Sequence, residues 1–150
     1  MKKFILVLVV VLFSKLTISQ EKDSFSMSFD HLALSVDDVE KSAEFYRTIL
    51  NLNEITNKTK VEGIRWFSLG EGKELHLISI VEGEIKLNKA VHFALKVNNF
   101  DAFIKKLKAL NIYYTSWSGD DYQITIRADG IKQVYVKDPD GYWIEVNSVN

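Results

Sequence analysis

The stretch "DHLALSV" at Asp30–Val36 returns as "VHFALKV" at Val91–Val97, with histidine, alanine, leucine and closing valine each shifted by 61 positions. The two copies hold two of the chain's three histidines. Each alternates residue by residue, the period of a β-strand whose two faces meet different surroundings. Leu32, Leu34 and Val36 share one face, with His31, Ala33 and Ser35 on the other. Phe93, Leu95 and Val97 against His92, Ala94 and Lys96 repeat the division.

After each copy the period changes to that of a helix. Val39, Ala43, Tyr46 and Leu50 recur at helical spacing, with Asp37 or Asp38 as N-cap and Asn51 as terminator. Phe100, Phe103, Ile104, Leu107 and Leu110 form the second stripe, capped by Asn98 or Asn99 and ended by Asn111. Three strands are predicted after each helix: about 52–57, 64–69 and 74–81, then 112–117, 131–136 and 142–146. "GEGK" at Gly70–Lys73 and "DPDG" at Asp138–Gly141 make the hairpin turns. The sequence therefore predicts an α+β fold of two pseudo-symmetric βαβββ modules, at about 27–81 and 90–149, joined by the polar "EGEIKLNK". Aligning "IRWFSLGEGKELHLI" with "IKQVYVKDPDGYWIEV" pairs His76 with Glu145 and Trp66 with Tyr135. "SGDDYQITIRADG" at Ser118–Gly130 has no counterpart, and reads as a short extra strand near Gln123–Arg127 or a mobile loop over the site.

The N-terminus reads differently. Lys2 and Lys3 precede an unbroken apolar run from Phe4 to Phe13, and small residues follow at Thr17 and Ser19. A run this short falls below the ~20 residues that span a bilayer. It predicts a cleavable secretory signal over Met1–Ser19, a single domain over 20–150, and a secreted or periplasmic protein without a stable membrane anchor. Removing the signal leaves 16 basic residues against 20 acidic ones, a net charge of −4. That balance argues against nucleic acid as partner, and "KKLK" at Lys105–Lys108 is the solvated face of a helix. Zero cysteines exclude disulfides and thiol chemistry.

With the apolar faces packed under the helices, His31 and His92 point to the opposite, concave face. His76 lies between Leu75 and Leu77, and Glu145 between Ile144 and Val146. Burying such groups without partners costs ~1–3 kcal/mol each, and a divalent metal at the centre would satisfy all four. Imidazole and carboxylate donors suit iron, nickel, manganese, cobalt or zinc, and the lack of sulfur argues against a structural zinc site.

"FDHLALSVDDVEKSAEFYRTILNL", "LHL", "VHFAL" and "DPDGYWIEV" together resemble the vicinal oxygen chelate superfamily, over about Met27–Val149. It includes glyoxalase I, methylmalonyl-CoA epimerase, fosfomycin-resistance enzymes, extradiol dioxygenases and bleomycin-resistance proteins. The resemblance implies paired βαβββ modules forming a U-shaped mixed sheet around a metal with open positions. It implies His31, His92 and Glu145 as metal ligands, with Glu145 also the catalytic base. At position 76 glyoxalase I carries glutamate and the epimerase glutamine, whereas this chain has His76, the fourth candidate ligand.

The implied activity is a lyase or isomerase of glyoxalase-like type, acting on a small oxygenated substrate, with no other cofactor. The alternatives are a non-heme iron dioxygenase and an exported small-molecule binding or resistance protein. Trp66 and Tyr135 are candidate cavity walls, and Arg65, Arg127 and Lys132 candidate partners of a substrate carboxylate. A homodimer is the expected assembly, because some relatives build each site from two chains.

Overall fold

A computed structural model describes residues 26–149. The signal-like stretch Met1–Ser19 lies outside the described residues. The elements run β1 (His31–Ser35), α1 (Val39–Thr48), β2 (Asn53–Ile55), β3 (Ile64–Gly70), β4 (Lys73–Ile78), β5 (His92–Val97), α2 (Phe100–Ala109), β6 (Tyr114–Thr115), β7 (Thr125–Ile126), β8 (Lys132–Lys137) and β9 (Trp143–Ser148). The expected βαβββ order appears twice. The unmatched stretch contributes β7, which pairs antiparallel with β8.

Each helix begins and ends for a local reason. Asp38 accepts from the backbone N–H of Glu40 and Lys41, and Asn99 accepts from that of Ala102; both satisfy donors that a first turn leaves open. Asn51 and Asn111 follow the helices at φ 55° and 52°, the left-handed conformation asparagine tolerates better than most side chains. The β3–β4 hairpin turns through Glu71 and Gly72, both at positive φ, the conformation of a two-residue type I′ turn.

Hydrogen bonding divides the strands into two sheets, β1-β4-β3-β2 and β5-β9-β8-β6, with β7 beside β8. The modules meet through one shared core instead of a continuous ladder. Leu34, Ala43, Tyr46, Phe67 and Leu75 of the first module join Phe103, Leu107, Val134, Ile144 and Val146 of the second in a single cluster. This covers the apolar faces of both first strands, that of β5 only partly, and most of both helical stripes, Leu110 staying exposed, and leaves the histidine faces outward.

The "DPDG" turn fastens the modules. Asp138 Oδ1 accepts from the backbone N–H of Asp140 and Tyr142, at 3.0 and 2.8 Å, and its Oδ2 accepts from the buried Tyr46 hydroxyl of α1 at 2.7 Å. Asp140 accepts from the Asp37 N–H and the Ser42 hydroxyl. Burial raises the Asp138 carboxyl above the usual carboxylate range despite these donors. A group so raised stabilises the fold fully below its unfolded value and loses that contribution as pH rises through the raised value. Tyr46→Phe leaves the buried Asp138 Oδ2 without its donor and is expected to cost about 2 kcal/mol. Asp138→Asn keeps an acceptor for both backbone N–H groups without the buried charge, and is expected to cost less. Urea denaturation of both variants checks the order, and a costlier Asp138→Asn would contradict this account.

Candidate functional site

Strand registers build the site row by row. In the first sheet Trp66, His76 and Ala33 stand abreast on β3, β4 and β1, next to the row Ser68, Glu74 and His31. In the second, Tyr135, Glu145 and Ala94 stand abreast on β8, β9 and β5, between the row Lys137, Trp143, His92 and the row Gln133, Asn147, Lys96. His76 and Glu145 thus occupy equivalent positions, as do Trp66 and Tyr135, and each first-strand histidine lies one row along from its alanine. Alternation puts every member of these rows on the face away from the helices.

The four candidate ligands fall into two pairs. The His31 and His76 rings stack at 4.5 Å, and Trp66 lies flat on the other side of the relation, 4.1 Å from His76. His92 Nε2 stands 3.2 Å from Glu145 Oε2. Among the described residues no three histidine or acidic side chains converge as a metal centre. His31 is 43% exposed at its side chain, His92 23% and His76 13%, whereas Glu145 is 9% exposed.

Each candidate also has a protein partner. His31 Nδ1 donates to Asp30 at 2.7 Å, His76 Nε2 to Glu74 at 2.9 Å, and His92 Nδ1 to the Lys89 carbonyl at 2.7 Å. Glu145 Oε2 accepts from the Tyr135 hydroxyl, and Oε1 from Asn147 Nδ2 at 2.6 Å. Gln133 Nε2 donates to the Tyr135 oxygen at 2.8 Å. Burial first, then the bond to Glu145, pushes the Tyr135 hydroxyl above its usual range, so it stays a donor.

These partners also give the donor set its chemistry. A ring nitrogen facing an ionised carboxylate or a carbonyl carries the proton, so each neutral imidazole keeps one lone pair on its other nitrogen. Outer acceptors orient metal-binding histidines in this way. At His92 that second nitrogen faces Glu145 Oε2, as two donors to one cation would. The donors therefore fit a divalent cation in kind, and each module of one chain supplies half of them.

Arg65, Arg127 and Lys132 each have a carboxylate partner within the chain. Arg65 bridges Glu40 and Glu54, Arg127 pairs with Asp129 and Lys132 with Asp101. Sequence reasoning missed Lys89 and Trp117. The Lys89 ammonium donates to the carbonyls of Ser116 and Trp117 at 2.6 and 3.2 Å. Trp117, 51% exposed, lies against Tyr135 at 5.6 Å and His92 at 6.3 Å.

This fold and its paired half-sites define a class, and the sequence carries its signature: residues 28–146 match the profile of the Glyoxalase/Bleomycin resistance protein/Dioxygenase superfamily. The chain belongs to that superfamily. It is 28% identical over 122 residues to the uncharacterised YwbC of Bacillus subtilis (strain 168), covering 77% of this chain and 93% of the other. Its fold matches the oxidase ChaP-H2 with a TM-score of 0.69 at 20% identity, over 84% of this chain and 96% of that one. It matches lactoylglutathione lyase from Agrobacterium tumefaciens with a TM-score of 0.61 at 20% identity, over 82% and 94%.

Proposed function

We propose that the chain is an exported metal-dependent lyase or isomerase of glyoxalase-like type, moving a proton on a small oxygenated substrate through Glu145. The observation that carries this reading is the pairing of His92 with Glu145, at positions in the second sheet equivalent to those of His31 and His76 in the first. Export rests on the Lys2–Phe13 pattern. A divalent ion held by His31, His76, His92 and Glu145 would supply Lewis-acid stabilisation of negative charge on adjacent substrate oxygens. Glu145 Oε2, beside His92, takes the proton, and Oε1 is held by Asn147. Tyr135 keeps donating to Oε2 and fixes the carboxylate's orientation.

Because one chain offers two half-sites on separate sheets, we also propose a homodimer in which the His31–His76 face of one chain meets the His92–Glu145 face of its partner. The exposure of His31 supports an open face that a second copy closes. Stripped protein reloaded with iron, nickel, manganese, cobalt or zinc is expected to hold one ion per chain, and His92→Ala to hold none. Equal, negligible metal in both would overturn the reading.

His76 is already bonded to Glu74 and stacked between two rings. That favours a second reading, in which His31, His92 and Glu145 form a two-histidine, one-carboxylate iron site for oxygen chemistry. Oxygen uptake dependent on ferrous ion separates the two.

A further inference from the structure

The row beyond Glu145 carries charge that the proposed chemistry leaves unused. Lys137 and Trp143 are cross-strand neighbours on β8 and β9, and His92 is the next residue across on β5. The Lys137 ammonium lies 4.5 Å from the centre of the Trp143 ring, and the Lys89 ammonium lies 4.8 Å from the same centre. Lys89 also stands 5.0 Å from the Tyr135 ring. Two cations thus converge on one indole, at the His92 end of the face.

Neither is neutralised by a carboxylate within salt-bridge distance among the described residues, whereas Arg65, Arg127, Lys132 and Lys73 all are. Lys89 spends two of its three N–H bonds on the Ser116 and Trp117 carbonyls. Lys137 makes no side-chain hydrogen bond with the described residues. One N–H of Lys89 and three of Lys137 are therefore free to bind acceptors. Burial holds the Lys89 ammonium below the usual lysine range, opposed by the charge of Asp120 and reinforced by that of Lys137. Cation–π contact with the indole offsets part of the repulsion between the two ammoniums, and an anion between them would remove the rest.

We propose that Lys89 and Lys137, gathered around Trp143, form an anion subsite that binds a carboxylate or phosphate of the substrate. The subsite lies one row from Glu145, ~6.6 Å along the strand, so the substrate is a small organic acid or phosphate ester. Its anionic end meets Lys89 and Lys137 while its neighbouring oxygens meet the His92–Glu145 side. The assignment of substrate class rests on the proton-transfer reading above, but the subsite itself can be tested without it.

The test is calorimetric titration of metal-free full-length chain with acetate and with inorganic phosphate, at constant ionic strength set by chloride. Saturable binding of at least one anion in the millimolar range is expected. Lys137→Met, at an exposed position, should weaken it ~10-fold, as loss of a charge-assisted hydrogen bond does. Lys137→Arg should restore it, and Lys132→Met, whose ammonium is paired with Asp101, should leave it unchanged. Tighter acetate points to an organic acid, and tighter phosphate to a phosphate ester. Absence of saturable binding by both anions, or equal binding in wild type and Lys137→Met, would overturn the proposal. Since no metal is present, that failure would leave the metal reading untouched, and failure to load metal would leave the anion result standing.

Discussion

Glu145→Gln is expected to slow proton exchange by ~10²–10⁴-fold, the contribution of a positioned general base, and to leave the metal-free fold as stable as before or more so. The two effects have one cause. Glu145 is buried, accepts from Tyr135 and Asn147, and stands 3.2 Å from His92 Nε2, while the Asn147 Oδ1 beside it is buried without a partner among the described residues. A glutamine can keep its carbonyl on the Tyr135 hydroxyl and turn its N–H₂ group toward Asn147, whose amide can rotate to offer the Oδ1 that otherwise has no partner. The carboxylate therefore sits less favourably than its amide would, as expected where stability is given up for chemistry. Solvent-deuterium exchange at the carbon next to the carbonyl of hydroxypyruvate, followed by proton NMR on the metal-loaded protein, reads the rate. Urea denaturation of the metal-free protein reads the stability. Exchange within threefold of wild type would remove Glu145 from the proton path. A large loss of stability would refute the account of its surroundings.

The fold was legible because local and global signals agreed. The alternation in "DHLALSV" and "VHFALKV" became β1 and β5, and the helical stripes became α1 and α2 with caps at the offered Asp38 and Asn99. The alignment that paired His76 with Glu145 reappears in the strand registers. The partners of the site residues were less legible, for two different reasons. Glu74 stands two residues before His76, hence on the same strand face, and alternation alone could have found it. Tyr135 and Asn147 follow once the β8–β9 register is fixed, since both flank Glu145. Lys89 gave no such signal: it lies in a polar linker, and its partners are the carbonyls of Ser116 and Trp117, distant in sequence, just before the unmatched stretch. What holds the two modules together was not legible, because the ladders stop at the module boundary. That boundary is held by side chains, through Tyr46, Ser42 and the "DPDG" turn, and such long-range contacts leave no periodic trace.

Two inactive variants are expected to rescue each other, and this follows directly from the division into half-sites. The first carries His31→Ala and His76→Ala and keeps the second module's donors. The other carries His92→Ala and Glu145→Gln and keeps the first module's. Each alone is expected to bind no metal. If a complete site takes one half from each chain, a mixed dimer contains one intact site and one doubly defective site. Unfolding both in urea and refolding them together at equal concentration gives mixed dimers about half the time, so roughly a quarter of wild-type metal content should return. A site closed within one chain cannot be rescued, because every chain in the mixture lacks one half. Metal counting after refolding, with sedimentation to confirm the dimer, distinguishes the two. Dimers that form and still hold no metal would sink the shared site, and with it the explanation for why one chain brings its donors together only in twos.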